Sequence, residues 1–268
     1  MRKHKILLIG LGSIGENLAL SLIEKGYQIN IWDKNKKKTF LLCKKLNIKY
    51  ISNISKFLKK KNLIIILAIP AGLATDNFII NNIKNFKTNI HIVDIGNNHP
   101  KDTMKRFNFL KKNKIKYISC GFSGGSQGAR TNASLMISCS SVEFNFLKSL
   151  FLDIIGKKNK RFLKRIGNNP SLGNYTKIIH NGIEYAVMQA IADYYCVMKV
   201  ILRLDNKEIL KEFSKLEKKI SNSFLIRITK DIIKESNNKK NSINNILDVV
   251  DDNNTGAWTV SFASECKF

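Results

Sequence analysis

A lysine, an amide and a carboxylate share a helical spacing in Tyr175-Thr176-Lys177-Ile178-Ile179-His180-Asn181-Gly182-Ile183-Glu184-Tyr185. At about 100° per residue, Asn181 falls about 40° from Lys177 and Glu184 about 20° to the other side; His180 and Tyr185 flank them at about −60° and +80°. A lysine that removes a hydroxyl proton must be neutral, and a glutamate that later donates one must be protonated. Burial or a neighbouring charge produces both states. One stripe carrying both groups is an acid–base pair poised over a single substrate. Lys-Glu spacing by itself most often marks a solvated face. Here the flanking turns are apolar, and an Asn-Gly step inside a helix costs stability that a solvated face has no reason to bear.

A second group of residues points to a nucleotide. Gly10-Leu11-Gly12-Ser13-Ile14-Gly15 is GxGxxG, directly after the apolar run Ile6 to Ile9 and opening the amphipathic stretch Ile14 to Lys25. In a dinucleotide fold the first glycine makes the tight turn and the second admits the pyrophosphate. The third lets helix and strand pack closely, and the helix N-terminus supplies N–H groups and a positive dipole. Asp33 ends the next strand, eighteen residues beyond Gly15. An acid there accepts hydrogen bonds from ribose hydroxyls and favours NAD, whereas the adjacent Lys34 suits the 2′-phosphate of NADP.

The elements that must hold these residues alternate. Short β-type runs at Lys5 to Ile9, Gln28 to Trp32, Leu63 to Leu67, His91 to Asp94 and Lys116 to Cys120 are separated by helical stretches. The strands are nearly continuously apolar, which predicts a buried parallel sheet covered by helices on both faces. A Gly/Ser-rich loop, Gly121 to Gly128, leads to a strand at Ser134 to Cys139, a helix at Val142 to Ile155 and a strand at Arg161 to Ile166. Beyond Gly167-Asn168-Asn169-Pro170 the pattern is helical: Ser171 to Arg203, Lys207 to Lys218 and Asn222 to Lys234, a polar loop at Glu235 to Asn245, and a last helical start at Thr255. The fold expected is α/β, a Rossmann-type doubly wound sheet over residues 1–170 followed by a shortened all-α domain over 171–268.

Composition excludes several classes. Apolar residues form 44% of the 268, too many for a disordered chain, and the longest apolar runs fall far short of a bilayer span. The basic start followed by Ile6 to Ile9 imitates a secretory signal, but glycines interrupt the run, so mature protein is expected. Five cysteines without a CxxC pair fit a reducing cytoplasm and exclude a disulfide scaffold or zinc ribbon. The net charge is +26, from 46 Lys+Arg against 20 Asp+Glu, yet lysine is spread through nearly every segment alongside Ile and Asn. That is the signature of an A/T-biased coding sequence, so no nucleic-acid partner is expected, although anionic ligands are attracted generally.

Taken together, these residues resemble the 6-phosphogluconate dehydrogenase (decarboxylating) family, within the β-hydroxyacid dehydrogenases. Asp94-Ile95-Gly96-Asn97 with Asp102-Thr103 is similar to the family's DGGN…DT segment. Gly121-Phe122-Ser123-Gly124-Gly125, Gly128-Ala129-Arg130 and Ser134-Leu135-Met136 resemble its GxSGGxxGARxxxSLM block, and Lys177 to Gln189 its KMVHNGIEYxxMQ helix. Ser223-Phe224-Leu225 and Thr255-Gly256-Ala257-Trp258-Thr259 resemble its SFLIEIT…GTGKWT stretch.

The resemblance implies oxidative decarboxylation of 6-phosphogluconate to ribulose 5-phosphate and CO₂ with reduction of NADP, in the pentose phosphate pathway. Lys177 would take the C3 hydroxyl proton and Glu184 would protonate the enediol left after CO₂ departs. No metal is implied, because a 3-keto acid decarboxylates readily. Ser123, Gly124, Gly125, His180, Asn181, Tyr185 and Thr259 match substrate contacts, and Asn97 a contact near the nicotinamide. Gly10, Gly12, Ser13, Ile14, Gly15, Asp33, Lys34, Asn35 and Ile69 match cofactor contacts. A cytoplasmic homodimer is implied as well.

The chain departs from the family at Asp33-Lys34-Asn35 (Asn-Arg-Thr in the family), Pro70 (Lys), Ile137 to Cys139 (glycines) and Ala257 (Lys). It also ends where the family continues into a helical region with a phosphate-binding arginine and a tail that reaches the partner's site. The reading is therefore a C-terminally truncated enzyme whose phosphate pocket has lost cationic partners, each worth roughly 1.5–3 kcal/mol. Two alternatives share part of the pattern. One is another β-hydroxyacid dehydrogenase, with the same glycine loop and Lys-x-x-x-Asn helix; the other is a decayed, non-catalytic cofactor-binding protein.

Overall fold

The computed structural model describes residues 5–220, 223–236, 243–247, 249 and 254–267. They form two compact units, residues 1–178 and 179–268.

The first unit is built on a seven-stranded sheet of order β2-β1-β3-β4-β5-β6-β7. Its strands are β1 (Lys5–Ile9), β2 (Ile29–Trp32), β3 (Leu63–Leu67), β4 (His91–Asp94), β5 (Lys116–Ser123), β6 (Ser134–Ser138) and β7 (Leu163–Gly167). The helices that precede the boundary are α1 (Ser13–Glu24), α2 (Lys36–Lys45), α3 (Ile54–Leu58), α4 (Leu73–Asn82), α5 (Pro100–Lys112), α6 (Gly125–Arg130) and α7 (Ser141–Ile155). Alternate residues of the same strands enter two separate cores. Ile6, Leu8, Ile64, Ile66, Val93 and Ile118 pack with α1 and α7, while Leu7, Ile9, Leu63, Ile65 and Leu67 pack with α3, α4 and α5. A strand buried on both faces has no position for a polar side chain, which is why the run Leu63–Leu67 is wholly apolar.

The doubly wound architecture agrees with the sequence, with one correction. β1 to β5 run parallel, but β6 pairs antiparallel with β5, Phe122 facing Leu135. Only residues 124–133 separate the two strands, too few for the crossover of a dozen or more that a parallel neighbour needs. The short helices α3 and α6 lie where no helix is expected from the sequence.

β1 lies between β2 and β3, so the chain reverses its direction of travel across the sheet at that point. The crevice beyond the carboxyl ends of such strands is where open α/β sheets bind ligands.

Helix α8 (Leu172–Cys196) begins in the first unit and continues into the second. It ends in a π-helical turn at Val197–Ile201, closed by the Leu202 N–H on the Val197 carbonyl, so it stops short of the expected Arg203. The second unit adds α9 (Asn206–Lys219), α10 (Phe224–Glu235) and α11 (Thr255–Glu265). A capping box, with Asp205 accepting from the Glu208 N–H and the Glu208 carboxylate accepting from the Asp205 N–H, starts α9. Ile209, Phe213 and Leu216 then form an i, i+4, i+7 stripe around which Met198, Ile226 and Ile233 pack. The expected loop at 235–245 lies largely outside the described residues, as does the expected start of α10 at Asn222. Among the described residues no helix is long and apolar enough to cross a membrane.

Candidate active site

At the end of β1, Gly10 has φ +93°, and a Cβ there would lie 2.3 Å from the Ala68 carbonyl oxygen. Gly15, in the first turn of α1, backs onto Gly10, whose carbonyl oxygen would meet its Cβ at 2.0 Å. Gly12 differs: nothing lies within 4 Å of its Cβ position, and as N-cap it offers no side-chain oxygen to the first N–H groups of α1. Two glycines therefore hold the loop against the sheet, and the third keeps its outer surface open to a diphosphate. Ser13 is exposed and Ile14 half-buried at the start of α1. Ile69 packs beside Ala68, its Cγ2 at 2.7 Å from the same Gly10 Cβ position.

Asp33 is committed to the backbone. Its Oδ2 accepts the Leu11 N–H at 2.7 Å and its Oδ1 the Asn35 N–H at 2.8 Å, while its own N–H donates to Thr39 Oγ1 at 3.1 Å. The acid thus ties the glycine loop to the start of α2. Lys34 and Asn35 are exposed beside it, and Asn35 Oδ1 caps α2 by accepting the Lys38 N–H at 3.0 Å. Glu16, Asn35, Lys37, Lys38 and Lys45 line an adjoining open cleft of about 380 Å³.

The loop after β4 carries Asn97, half-buried, next to the buried Asn98. Beneath it, Asp94 accepts the Gly96 N–H at 3.0 Å and the Tyr117 hydroxyl at 2.6 Å. Burial pushes the Asp94 carboxyl above the usual carboxylate range, against the pull of those donors and of Arg106. Arg106 is 3% exposed and reaches across to the next loop. It donates to Asn98 Oδ1 and Asp76 Oδ1, each at 2.6 Å, and to the Gly72 carbonyl at 3.1 Å.

Ser123 ends β5, and Gly124 and Gly125 follow at φ +125° and +58°. Gly124 is needed for fit as well as for conformation, since a Cβ there would lie 2.9 Å from Gly128 Cα. Further back on β5, a Cβ on Gly121 would lie 2.5 Å from the Gly173 carbonyl oxygen and 3.0 Å from Lys177 Cβ. A Cβ on Gly173 would lie 2.5 Å from the Met136 carbonyl oxygen, and the Gly173 N–H donates to Ser138 Oγ at 2.5 Å. The first turn of α8 therefore lies backbone to backbone on β5 and β6. Lys177, one turn on, is 8% exposed.

In the second unit, Asn181 is 4% exposed and its Nδ2 donates to Thr255 Oγ1 at 2.9 Å. The Tyr185 hydroxyl lies 3.4 Å from the same oxygen. Gly182 lets α11 approach, because its Cβ would meet the Thr259 side chain at 2.4–2.6 Å. Thr259 Oγ1 donates to the Thr255 carbonyl at 2.9 Å. His180 Nδ1 lies 3.3 Å from Asn181 Oδ1 and 3.6 Å from Glu184 Oε2. α8 alone fixes the seven-residue interval between Lys177 and Glu184.

Gly173, Asn174, Asp94, Arg106 and Thr255 are absent from the sequence-derived site. The glycines carry a readable signal, an isolated Gly in a strand and another opening a helix. Long-range side-chain partners such as Thr255 leave none. Among the described residues no group of three or more His, Cys, Asp or Glu is placed to hold a metal ion.

The family model described as "NAD binding domain of 6-phosphogluconate dehydrogenase" matches residues 5–164, and that described as "6-phosphogluconate dehydrogenase, C-terminal domain" matches 173–268. A 6-phosphogluconate dehydrogenase, decarboxylating, of Buchnera aphidicola is 35% identical over the whole chain, and one of Staphylococcus aureus 34% identical over 96% of it. The chain spans 58% and 56% of those proteins. The 6-phosphogluconate dehydrogenase of Plasmodium falciparum, solved apo, with its cofactor NADP+ and with its substrate 6-phosphogluconate, superposes with a TM-score of 0.83 at 32% identity, covering 98% of this chain and 58% of that one. A 3-hydroxyisobutyrate dehydrogenase of Mycobacterium tuberculosis shares the fold, with a TM-score of 0.70 at 13% identity over 98% of this chain and 94% of its own.

Proposed function

The chain belongs to the 6-phosphogluconate dehydrogenase family, and from that premise we propose that it oxidises and decarboxylates 6-phosphogluconate with NADP as hydride acceptor. The observation that carries this reading is Lys177: a lysine 8% exposed, set on a helix that glycines 121 and 173 seat directly on the sheet. An amine buried on a fixed backbone suits a base that must meet one hydroxyl in one orientation.

Lys177 takes the C3 hydroxyl proton; the cofactor, held at the Gly10 to Gly15 loop, would supply the acceptor for the C3 hydride when bound. The 3-keto acid then loses its C1 carboxylate as CO₂ while the Lys177 ammonium returns its proton to the C3 oxygen, and Glu184 delivers a proton to C2 of the resulting enediol as Lys177 takes the C3 hydroxyl proton back, giving ribulose 5-phosphate. Ser123, Gly124, Gly125, His180 and Asn181 hold the sugar acid, and Tyr185 and Thr259 its phosphate end. Asn97 stands at the nicotinamide side.

NADP is favoured over NAD by the use made of Asp33. With each carboxylate oxygen already accepting a backbone N–H, the acid serves first as a clamp for the glycine loop and has fewer lone pairs left for ribose hydroxyls. Lys34 and Lys37, exposed on either side of Asn35, supply cations for a 2′-phosphate, while Lys38 pairs with Glu16 at 3.5 Å. A homodimer is supported by the exposed Ile183, Val187 and Met188 on α8. The five free thiols agree with a cytoplasmic setting.

The test is to supply the purified chain with 6-phosphogluconate and either cofactor, following absorbance of the reduced cofactor and release of CO₂, with light scattering for the dimer. Equal amounts of both products and a preference for NADP are expected. Turnover only with unphosphorylated hydroxy acids, or cofactor binding without turnover, contradicts the reading.

A further inference from the structure

Asn174 precedes Lys177 by one helical turn and is 2% exposed. Its Oδ1 accepts two hydroxyl hydrogens, from Thr103 Oγ1 on α5 at 2.8 Å and from Ser119 Oγ on β5 at 2.7 Å. Its Nδ2 faces the Gly96 carbonyl at 3.5 Å, long for a hydrogen bond. Each partner belongs to a different part of the site. β5 runs on to Ser123, Gly96 precedes Asn97, and α5 leaves the loop that holds Asn97 and Asn98.

The contact of α8 with the sheet explains why such a group is needed. Gly121 and Gly173 permit the helix to lie close but give it no side chain that interlocks. The Gly173 N–H on Ser138 Oγ fixes the helix along its axis at β6. Rotation about that axis is fixed by Asn174, because turning the helix would strip two buried hydroxyls of their acceptor. One residue of rotation moves Lys177 by about 100°.

We infer that Asn174 is a positioning residue: it sets the rotation of α8 that aims the Lys177 amine and couples that aim to the Asn97 loop. The inference rests on the reading of Lys177 as the base. The full chain carrying Asn174→Leu, similar in size but without an acceptor, loses about thirtyfold to a hundredfold in kcat with 6-phosphogluconate, while KM for NADP stays within about twofold. Asn174→Asp keeps an acceptor for both hydroxyls and remains within about threefold of the parent chain. A lowered melting temperature with kcat unchanged, or equal losses in the two variants, overturns the inference.

A second readout needs no turnover, so failure of the proposed reaction is seen separately. Trace acetylation by acetic anhydride, read by mass spectrometry at Lys177 relative to the exposed Lys211, rises about fivefold in Asn174→Leu and stays at the parent value in Asn174→Asp. An unchanged Lys177 rate in Asn174→Leu overturns the inference. Should Asn174→Leu not fold, Thr103→Val removes one of the two hydroxyls, and the same shift at about half its size is expected. No shift in that variant overturns the inference equally.

Discussion

The sheet unit and the helical unit each place their candidate residues by different means. At the sheet edge, glycines 10, 15, 121, 124 and 173 bring backbone within 3 Å of where a Cβ would stand. Gly10 to Gly15, Ser123 to Gly125 and Lys177 are thereby placed by the shape of the main chain. In the helical unit Thr255 Oγ1 meets both Asn181 and Tyr185, and Gly182 admits the Thr259 side chain of α11. The same helix α8 serves both units, yet Lys177 is buried while Ile183, Val187 and Met188 are 61%, 42% and 48% exposed. Backbone-built geometry resists small changes until a side chain is forced into it, whereas geometry built from a few side-chain hydrogen bonds degrades gradually.

The largest effect that could break this comparison lies in the helical unit. If Glu184 is the acid, Glu184→Gln lowers kcat by about 10²–10⁴ without changing NADP affinity, as measured by steady-state kinetics and cofactor fluorescence. A loss below tenfold would leave all the chemistry at the sheet edge.

Two glycine substitutions come next in size. Gly121→Ala forces a Cβ to 2.5 Å from the Gly173 carbonyl and should cost about 1–3 kcal/mol in urea unfolding. Gly12→Ala meets nothing within 4 Å, so its melting temperature stays put while NADP affinity falls about tenfold, roughly 1.4 kcal/mol. Equal destabilisation by both would remove the distinction between a packing glycine and a ligand-facing one.

Thr255→Val should be milder. Asn181 Nδ2 loses its acceptor, a change of about 1 kcal/mol, visible as a raised KM for 6-phosphogluconate with kcat nearly kept. An unchanged KM would disconnect Thr255 from the substrate side.

The smallest effect is a dependence on pH. Asp94 titrates higher in the folded chain than in the unfolded one because burial disfavours its charge. Its contribution to stability is fully present below the ordinary aspartate pKa and is lost as pH rises through the elevated folded value. Urea midpoints of Asp94→Asn should therefore gain on the parent chain between acidic and neutral pH. A gap that narrows over that range would contradict the assignment.

What could be read from the sequence follows the same division. Strands such as Leu63–Leu67 are legible because burial on both faces leaves only apolar residues, and GxGxxG because each glycine answers to one steric demand. The antiparallel turn of β6 is set by a connection length, and α3 and α6 are too short for periodicity to register. Asn174 with Thr103 and Ser119, or Asp94 with Tyr117, join residues 23 to 71 positions apart through polar atoms. Such pairs leave no local pattern. The Lys177, Asn181 and Glu184 stripe is legible from its spacing as three polar groups on one helical face, but the seat of Lys177 on Gly121 and Gly173 required the fold.

Lys177 as the base must act in the first chemical step. Rapid mixing of NADP-saturated chain with 6-phosphogluconate, following the first turnover of cofactor reduction, compares the parent with Lys177→Ala. The variant is expected to reduce cofactor about 10³ more slowly with cofactor affinity unchanged; reduction within tenfold of the parent would show that Lys177 is not the base.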